Sequence, residues 1–229
     1  MKIYNGPNHQ SLADLLFSRE MLEEHLLRKL SAHVPQRHVY REMASVAAAV
    51  LIPIYFRDGE AHLLFTKRAN HVEHHKGQIS FPGGRQDDDD RDLLHTALRE
   101  TEEEVGICAQ DVKIIGQTDR FLTNTRFMIT PWIGIFPYPY SFKVSQAEID
   151  YLVEVPLRHL LLSDCFEMKP FEWDGLIGKI HYYHYGEEVI WGVTGFLLSN
   201  FFSIAFDAGR EAFGEVSDFF RKPGHQKQR

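Results

Sequence analysis

Glu100, Glu103 and Glu104, with Arg99 before them, are the residues of this chain whose types and spacing most directly suggest chemistry. At i, i+3 and i+4 the three carboxylates share one face of a helix. On a bare helix such like charges cost about 0.2–0.5 kcal/mol per pair. A divalent cation held among them reverses that sign. Clustered hard oxygen ligands suit Mg2+ or Mn2+ and not zinc. The alternative is a solvated acidic helix in which Arg99 pairs with Glu103.

Around these residues the chain supplies what is needed to position them. Leu93, Leu94, Ala97, Leu98 and Val105 give the same helix an apolar side, so it can be pinned against a sheet. Gly106 is its stop signal. Before it, Gly83-Gly84 reads as a turn that lets backbone approach a substrate closely. An acidic loop follows, in which Asp90 is a candidate N-cap, as an alternative to a ligand.

Arg99-Glu100, Glu103-Glu104 and Gly106-Ile107 match, position by position, the second half of G-x5-E-x7-R-E-U-x-E-E-x-G-U, where U is aliphatic. On this motif the chain resembles the Nudix hydrolase superfamily. Two departures stand out. Thr101 occupies an aliphatic position. Counting back from Arg99, the usual Glu position is Arg91 and the usual Gly position is Arg85, so Gly84 and Asp90 sit one residue early.

The resemblance extends upstream. Leu63-Leu64-Phe65-Thr66-Lys67-Arg68-Ala69, then Gly77, then Phe81-Pro82-Gly83-Gly84 are similar to the pattern L-L-T-x-R-S-x3-R-x3-G-x3-F-P-G-G of the coenzyme A pyrophosphatases. Phe65 is inserted after the Leu pair, Ala69 replaces Ser, and Glu73 reverses the charge of the second Arg. Downstream, Ile190-Trp191-Gly192-Val193-Thr194 resembles V/I-W-G-x-T.

This resemblance implies a Nudix α/β/α sandwich, with a mixed β-sheet between helices and a loop–helix–loop metal site. It implies divalent-metal-dependent hydrolysis of a diphosphate bond in coenzyme A or an acyl-CoA. Glu100 and Glu104, with Glu103, would hold Mg2+ or Mn2+. Glu103 or Glu148 would act on the attacking water, and Arg99 would hold the glutamates by ion pairing. Arg68, Gly77, Phe81, Gly83 and Gly84 would contact the substrate. The reversed charge at Glu73 should weaken recognition of the extra phosphate of coenzyme A. The alternatives are another nucleoside diphosphate derivative, such as ADP-ribose or NADH, and a non-catalytic nucleotide sensor. A sensor would be expected to have lost its carboxylates.

Composition bounds these readings. The 229 residues are 44% hydrophobic and 25% charged, an ordinary globular balance. The net charge of -7 argues against a nucleic-acid partner. Cys108 and Cys165 form no disulfide or zinc pattern, and MKIYNGPNHQ has no apolar signal core, so a cytoplasmic protein is expected. Against the overall charge, residues 66–84 are rich in His, Lys and Arg, which suits an anionic substrate. His71, His74 and His75 read as solvated and not as a transition-metal cluster.

Hydrophobic periodicity places the remaining elements. Residues 11–30 read as one helix capped by Ser11, within an N-terminal extension of residues 1–35. The catalytic domain then spans residues 36–209. Residues 44–56 read as a strand because Pro53 argues against a helix. Asp58-Gly59 turns it into a returning strand at residues 62–67. Strands are expected at residues 112–116, 127–136 and 151–155, then a short helix from Pro156. Residues 166–173 and 179–185 read as a hairpin. Its aromatics Trp173, Tyr182, Tyr183 and Tyr185 serve either sheet packing or an adenine wall.

Residues 189–206 carry no charge and read as a buried helix in preference to a membrane span. Their apolar excess could also face a second copy, which leaves a homodimer open. Residues 210–221 read as an amphipathic helix, followed by a frayed tail.

Overall fold

The computed structural model describes residues 9–39, 44–69, 77–161, 163–173 and 176–208. Glu73, the histidines beside it and the expected C-terminal amphipathic helix lie outside the described residues.

The long apolar run forms β2 (Val46–Arg57), after the short β1 (Arg37–His38) and two helices, α1 (His9–Leu16) and α2 (Arg19–Ser31). A two-residue turn, with Asp58 at φ 52° and Gly59 at φ 80°, returns the chain into β3 (Glu60–Arg68). Positive φ at both positions matches the twist of a tight hairpin. Pro53 falls where the second edge of β2 changes over from β5 (Gly83–Arg85) to β3. β4 (Ile79–Ser80) precedes β5, and α3 (Leu93–Val105) follows it.

The sheet is completed by β6 (Lys113–Gln117), β7 (Arg120–Leu122), β8 (Phe127–Ile135) and β9 (Ile149–Pro156). Its order is β1-β7-β8-β2-β3-β4, with β5 also on β2, β6 on β8 and β9 on β3. β2 runs parallel to β8 and antiparallel to β3, so the sheet is mixed. Alternation along each strand sends side chains to opposite faces. Leu51, Tyr55 and Leu64 meet Leu98 and Val105 of α3 on one face. Ile52, Ile54, Leu63 and Phe65 meet α2 and α5 (Gly192–Phe206) on the other. Burial on both faces is why β2 reads as an unbroken apolar run.

Three local expectations change. Residues 11–30 are two helices, because Ser18 adopts an extended conformation and its hydroxyl accepts from the Met21 N–H at 3.3 Å. That cap starts α2 and aims Leu22, Leu26 and Leu30 into the core. After α4 (Leu157–Leu160), β10 (Phe166–Trp173) and β11 (Leu176–Tyr185) do pair, but β12 (Glu188–Trp191) joins them as a third strand. The uncharged run of residues 189–206 is therefore split. Gly192, at φ 67°, turns strand into helix.

The resulting α5 has 15 residues, about 22 Å of helix against a hydrocarbon core of about 30 Å. Among the described residues no helix is long and apolar enough to cross a membrane. The apolar excess of α5 is buried within the chain, and its buried polar side chains Thr194, Ser199 and Asn200 are bonded there. Thr194 donates to the Ile79 carbonyl at 3.0 Å, and Ser199 meets His181 and Tyr183. Tyr183 is thus a core residue, whereas Tyr182 stacks on half-exposed Trp191.

Asn200 of α5 donates to Asp119, a buried carboxylate that nothing in the sequence singled out. Asp119 also accepts from His33 and His38, each at 2.7 Å, and from the Gln36 N–H at 2.8 Å. Burial favours its protonated form, but these donors outweigh burial and hold it below the usual carboxylate range. The node ties the segment after α2, the sheet and α5 together. Asp119→Ala should therefore cost about 3 kcal/mol, read from urea unfolding with an unchanged m-value. A loss below about 1 kcal/mol would mean the donors find other acceptors.

Candidate active site

α3 begins at Asp92, whose extended backbone and side chain cap the helix by accepting from the His95 N–H at 2.7 Å. It ends at Gly106, which takes the left-handed conformation at φ 77°. The cap is thus Asp92 and not Asp90. Thr101, the departure from an aliphatic position, is fully buried and donates its hydroxyl to the Ala97 carbonyl at 2.6 Å. With the hydroxyl satisfied one turn back, Thr can occupy an apolar position.

Asp90 has a different task. Its side chain is 1% exposed and takes both Nε and Nη2 of Arg99 at 2.9 Å. Those bonds hold its carboxyl well below the usual range against the opposing effect of burial. Arg99 then places Nη1 at 3.0 Å from both Glu100 and Glu103, and Nη2 on the Arg85 carbonyl at 3.2 Å. Arg99 is the bracket between the loop and the carboxylate helix. Sequence reading missed Asp90 as its anchor because the carboxylate stands one residue off the family position. A single buried Asp in a run of exposed acids leaves no local signal.

The three glutamates do not face one way. Glu104 is 4% exposed and accepts from the Gly83 N–H at 3.2 Å. Burial pushes its carboxyl up to about 8, with Glu100 and Glu148 adding to the effect and the Gly83 N–H and Arg68 opposing it. Glu100 is half-buried and also raised, again by burial first, with Arg99 opposing and Glu103 and Glu148 adding. Glu103 is turned outward, 60% exposed on its side chain, and engaged by Arg99. Among the described residues, no three His, Cys, Asp or Glu side chains are gathered as a formed metal site.

The expected Gly-Gly turn is the strand β5, pressed between β2 and the carboxylates. At Gly83, φ is 149°, and a Cβ would come within 2.3 Å of the Ala49 carbonyl oxygen. At Gly84 a Cβ would lie 2.6 Å from the Glu100 carboxyl. Gly83 therefore needs glycine for conformation and space, whereas a side chain at Gly84 would displace the carboxyl end of Glu100.

Arg68, at the end of β3, puts Nη1 3.8 Å from Glu104. Its Nε is buried and has no hydrogen-bond partner among the described residues. Glu148 is exposed, in the turn before β9, and its carbonyl accepts from the Ala69 N–H at 2.8 Å. The other two candidates make contacts that belong to the fold. Gly77, at φ 64°, donates its N–H to the Arg68 carbonyl and shapes the chain's return. Phe81 is a core residue, 3% exposed and stacked on Phe65.

Glu100 and Glu104 thus have raised proton affinity, and one backbone N–H and a distant guanidinium satisfy Glu104 incompletely. Oxygen donors in that condition fit a hard divalent cation, which would favour their charged forms.

A NUDIX domain model matches residues 46–173, from the start of β2 to the end of β10. Two relatives, each called "Uncharacterized Nudix hydrolase NudL", come from Yersinia pestis (strain Pestoides F) and Yersinia pseudotuberculosis serotype O:1b (strain IP 31758). Each is 37% identical over 151 residues, 66% of this chain and 75% of its own. Among solved structures, a C. elegans Ap4A hydrolase binary complex has a TM-score of 0.42 at 20% identity, covering 49% of this chain and 80% of its own. The NUDIX domain of Shewanella oneidensis NrtR complexed with ADP ribose has a TM-score of 0.42 at 17% identity, covering 57% and 82%.

Proposed function

The chain belongs to the Nudix family, and on that premise we propose that it hydrolyses the diphosphate bond of coenzyme A or an acyl-CoA. The reaction depends on Mg2+ or Mn2+. The products are 4'-phosphopantetheine, free or acylated, and adenosine 3',5'-bisphosphate. The observation that carries hydrolysis is the raised, incompletely satisfied pair Glu100 and Glu104 beside the buried Arg68 Nε. The coenzyme A assignment rests on the upstream run from Leu63 to Gly84 and its similarity to the pyrophosphatase pattern.

In this reading Glu100 and Glu104 hold the cation, with Glu103 within the same helical turn as a further ligand. A bound Mg2+ or Mn2+ supplies Lewis-acid neutralisation of the charge that develops on the phosphoryl oxygens. Arg99, anchored on Asp90, orients Glu100. Arg68 offers its orphan Nε–H to a non-bridging oxygen of the diphosphate. A buried donor left unpaired costs about 1–3 kcal/mol, which an anionic acceptor offsets. Glycines at 83 and 84 let the substrate come close to backbone. Because Arg99 engages Glu103, we place Glu148 on the attacking water, to orient it and take its proton. A cytoplasmic location is part of the same proposal.

The test is a hydrolysis panel of coenzyme A, acyl-CoA, ADP-ribose, NADH and diadenosine polyphosphates with Mg2+ or Mn2+, products identified by mass spectrometry. Coenzyme A or its thioesters should be turned over best, and excess EDTA should stop the reaction. Turnover of ADP-ribose or NADH alone would move the substrate assignment. Undiminished turnover in EDTA would overturn the mechanism. Arg68→Ala should raise KM about tenfold or more, the worth of one charge-assisted hydrogen bond. An unchanged KM would remove Arg68 from the substrate.

A further inference from the structure

We propose that His95 is a positioning residue of this site, acting through Asp90 on Arg99. The inference rests on the hydrolytic reading for its catalytic consequence, but its structural part can be tested without turnover. His95 stands one turn before Arg99 on α3, so the two side chains share a face. Its ring Nδ1 lies 2.9 Å from Asp90 Oδ1, and since Asp90 is ionised, Nδ1–H is the donor. The same Oδ1 accepts Arg99 Nε, while Oδ2 accepts Arg99 Nη2 and the Asp87 N–H at 3.0 Å.

Each oxygen of this buried carboxylate therefore carries two donors, and a carboxylate offers about four lone-pair sites. Of these four, two come from the arginine that must be held, one from backbone and one from His95, with the Thr96 hydroxyl adding to their effect. Without His95 the carboxylate keeps Arg99, one backbone N–H on the far oxygen and the Thr96 hydroxyl beside it, but Oδ1 loses its 2.9 Å ring donor. It is then less firmly fixed, and the arginine with it. Arg99 carries that loosening to Glu100, 3.0 Å from Nη1. The imidazole ring is 40% exposed, so its removal opens no cavity in the core.

Two variants separate positioning from bulk. His95→Ala removes the donor. His95→Asn puts an amide N–H near the place of Nδ1–H. The first readout is the Arg99 Nε–H resonance by NMR, whose solvent exchange should quicken about fivefold in His95→Ala and return to near the parent rate in His95→Asn. The second is Mn2+ binding measured by calorimetry, expected to weaken about fivefold in His95→Ala and recover in His95→Asn. The third is kcat on whichever panel substrate the parent hydrolyses, expected to fall by a similar factor with KM unchanged.

Arg99 exchange and Mn2+ affinity that match the parent in His95→Ala would overturn the proposal. So would His95→Asn behaving as His95→Ala. A parent that hydrolyses nothing on the panel, yet shows the Arg99 and Mn2+ changes, would overturn the hydrolytic reading and leave the positioning role standing.

Discussion

Glu104→Gln is expected to lower kcat at least about a hundredfold while making the metal-free protein more stable at alkaline pH. The first half follows from its place as a cation ligand. The second follows from burial. The Glu104 carboxyl is raised from 4.5 to about 8, chiefly by desolvation. Across that window the native state binds more protons than the unfolded chain. Its contribution to stability is complete below about 4.5 and is lost as pH rises through about 8.

Glutamine keeps the shape and still accepts from the Gly83 N–H, but it never ionises. Melting of parent and variant in EDTA should nearly coincide at pH 5 and diverge toward pH 9, with the variant higher. Mn2+ should then raise the parent and leave the variant unmoved, because only the parent binds it well. Near-parent turnover in Glu104→Gln would sink the ligand assignment. Coincident melting at pH 9 would mean that burial does not govern this carboxyl.

Asp90→Ala should damage both stability and activity. It leaves two N–H groups of Arg99 without their partner in a site where the Asp side chain is 1% exposed. Breaking a buried pair from one side costs about 3–5 kcal/mol. Because the Arg99 side chain is 21% exposed, the lower end, about 3 kcal/mol, is the expectation. Arg99 is then free to follow Glu103 outward, and kcat should fall about tenfold to a hundredfold as Glu100 loses its orientation.

The parent's advantage should persist over the whole neutral and mildly acidic range. The Asp90 carboxyl is held far below its ordinary value, and its contribution disappears only as pH falls through that depressed value. Urea unfolding at pH 7 and pH 4, together with steady-state kinetics, checks both halves. A variant as stable and active as the parent would show that Arg99 is held by other contacts.

Part of this protein was legible along the chain. The helix from Leu93 to Val105, its stop at Gly106 and the long strands at Val46–Arg57 and Phe127–Ile135 all follow from local rules. Spacing sets which residues share a face, Gly permits the left-handed stop, and a strand covered on both sides reads as an apolar run. The split of residues 11–30 and the Gly83–Arg85 strand were less legible, because a hydroxyl cap or a β partner competes with the periodic pattern. The third strand of the small sheet was hidden for a similar reason. Eighteen uncharged residues satisfy helix and buried strand alike until β11 offers an edge to residues 188–191.

The site divides in the same way. Spacing alone put Glu100, Glu103 and Glu104 on one helical surface. Adjacent residues on a helix point about 100° apart, so the sheet under α3 decides which of Glu103 and Glu104 is buried. It buries Glu104 against Gly83 and leaves Glu103 to Arg99. Pairings such as Asp90 with Arg99 and Asp119 with His33 depend on where separate segments meet, and no periodicity records that. The sequence by itself determined the family, the carboxylate helix and its glycines. The tertiary structure alone decided which carboxylate is desolvated and which aspartate anchors the arginine, because desolvation is a property of the assembled interior.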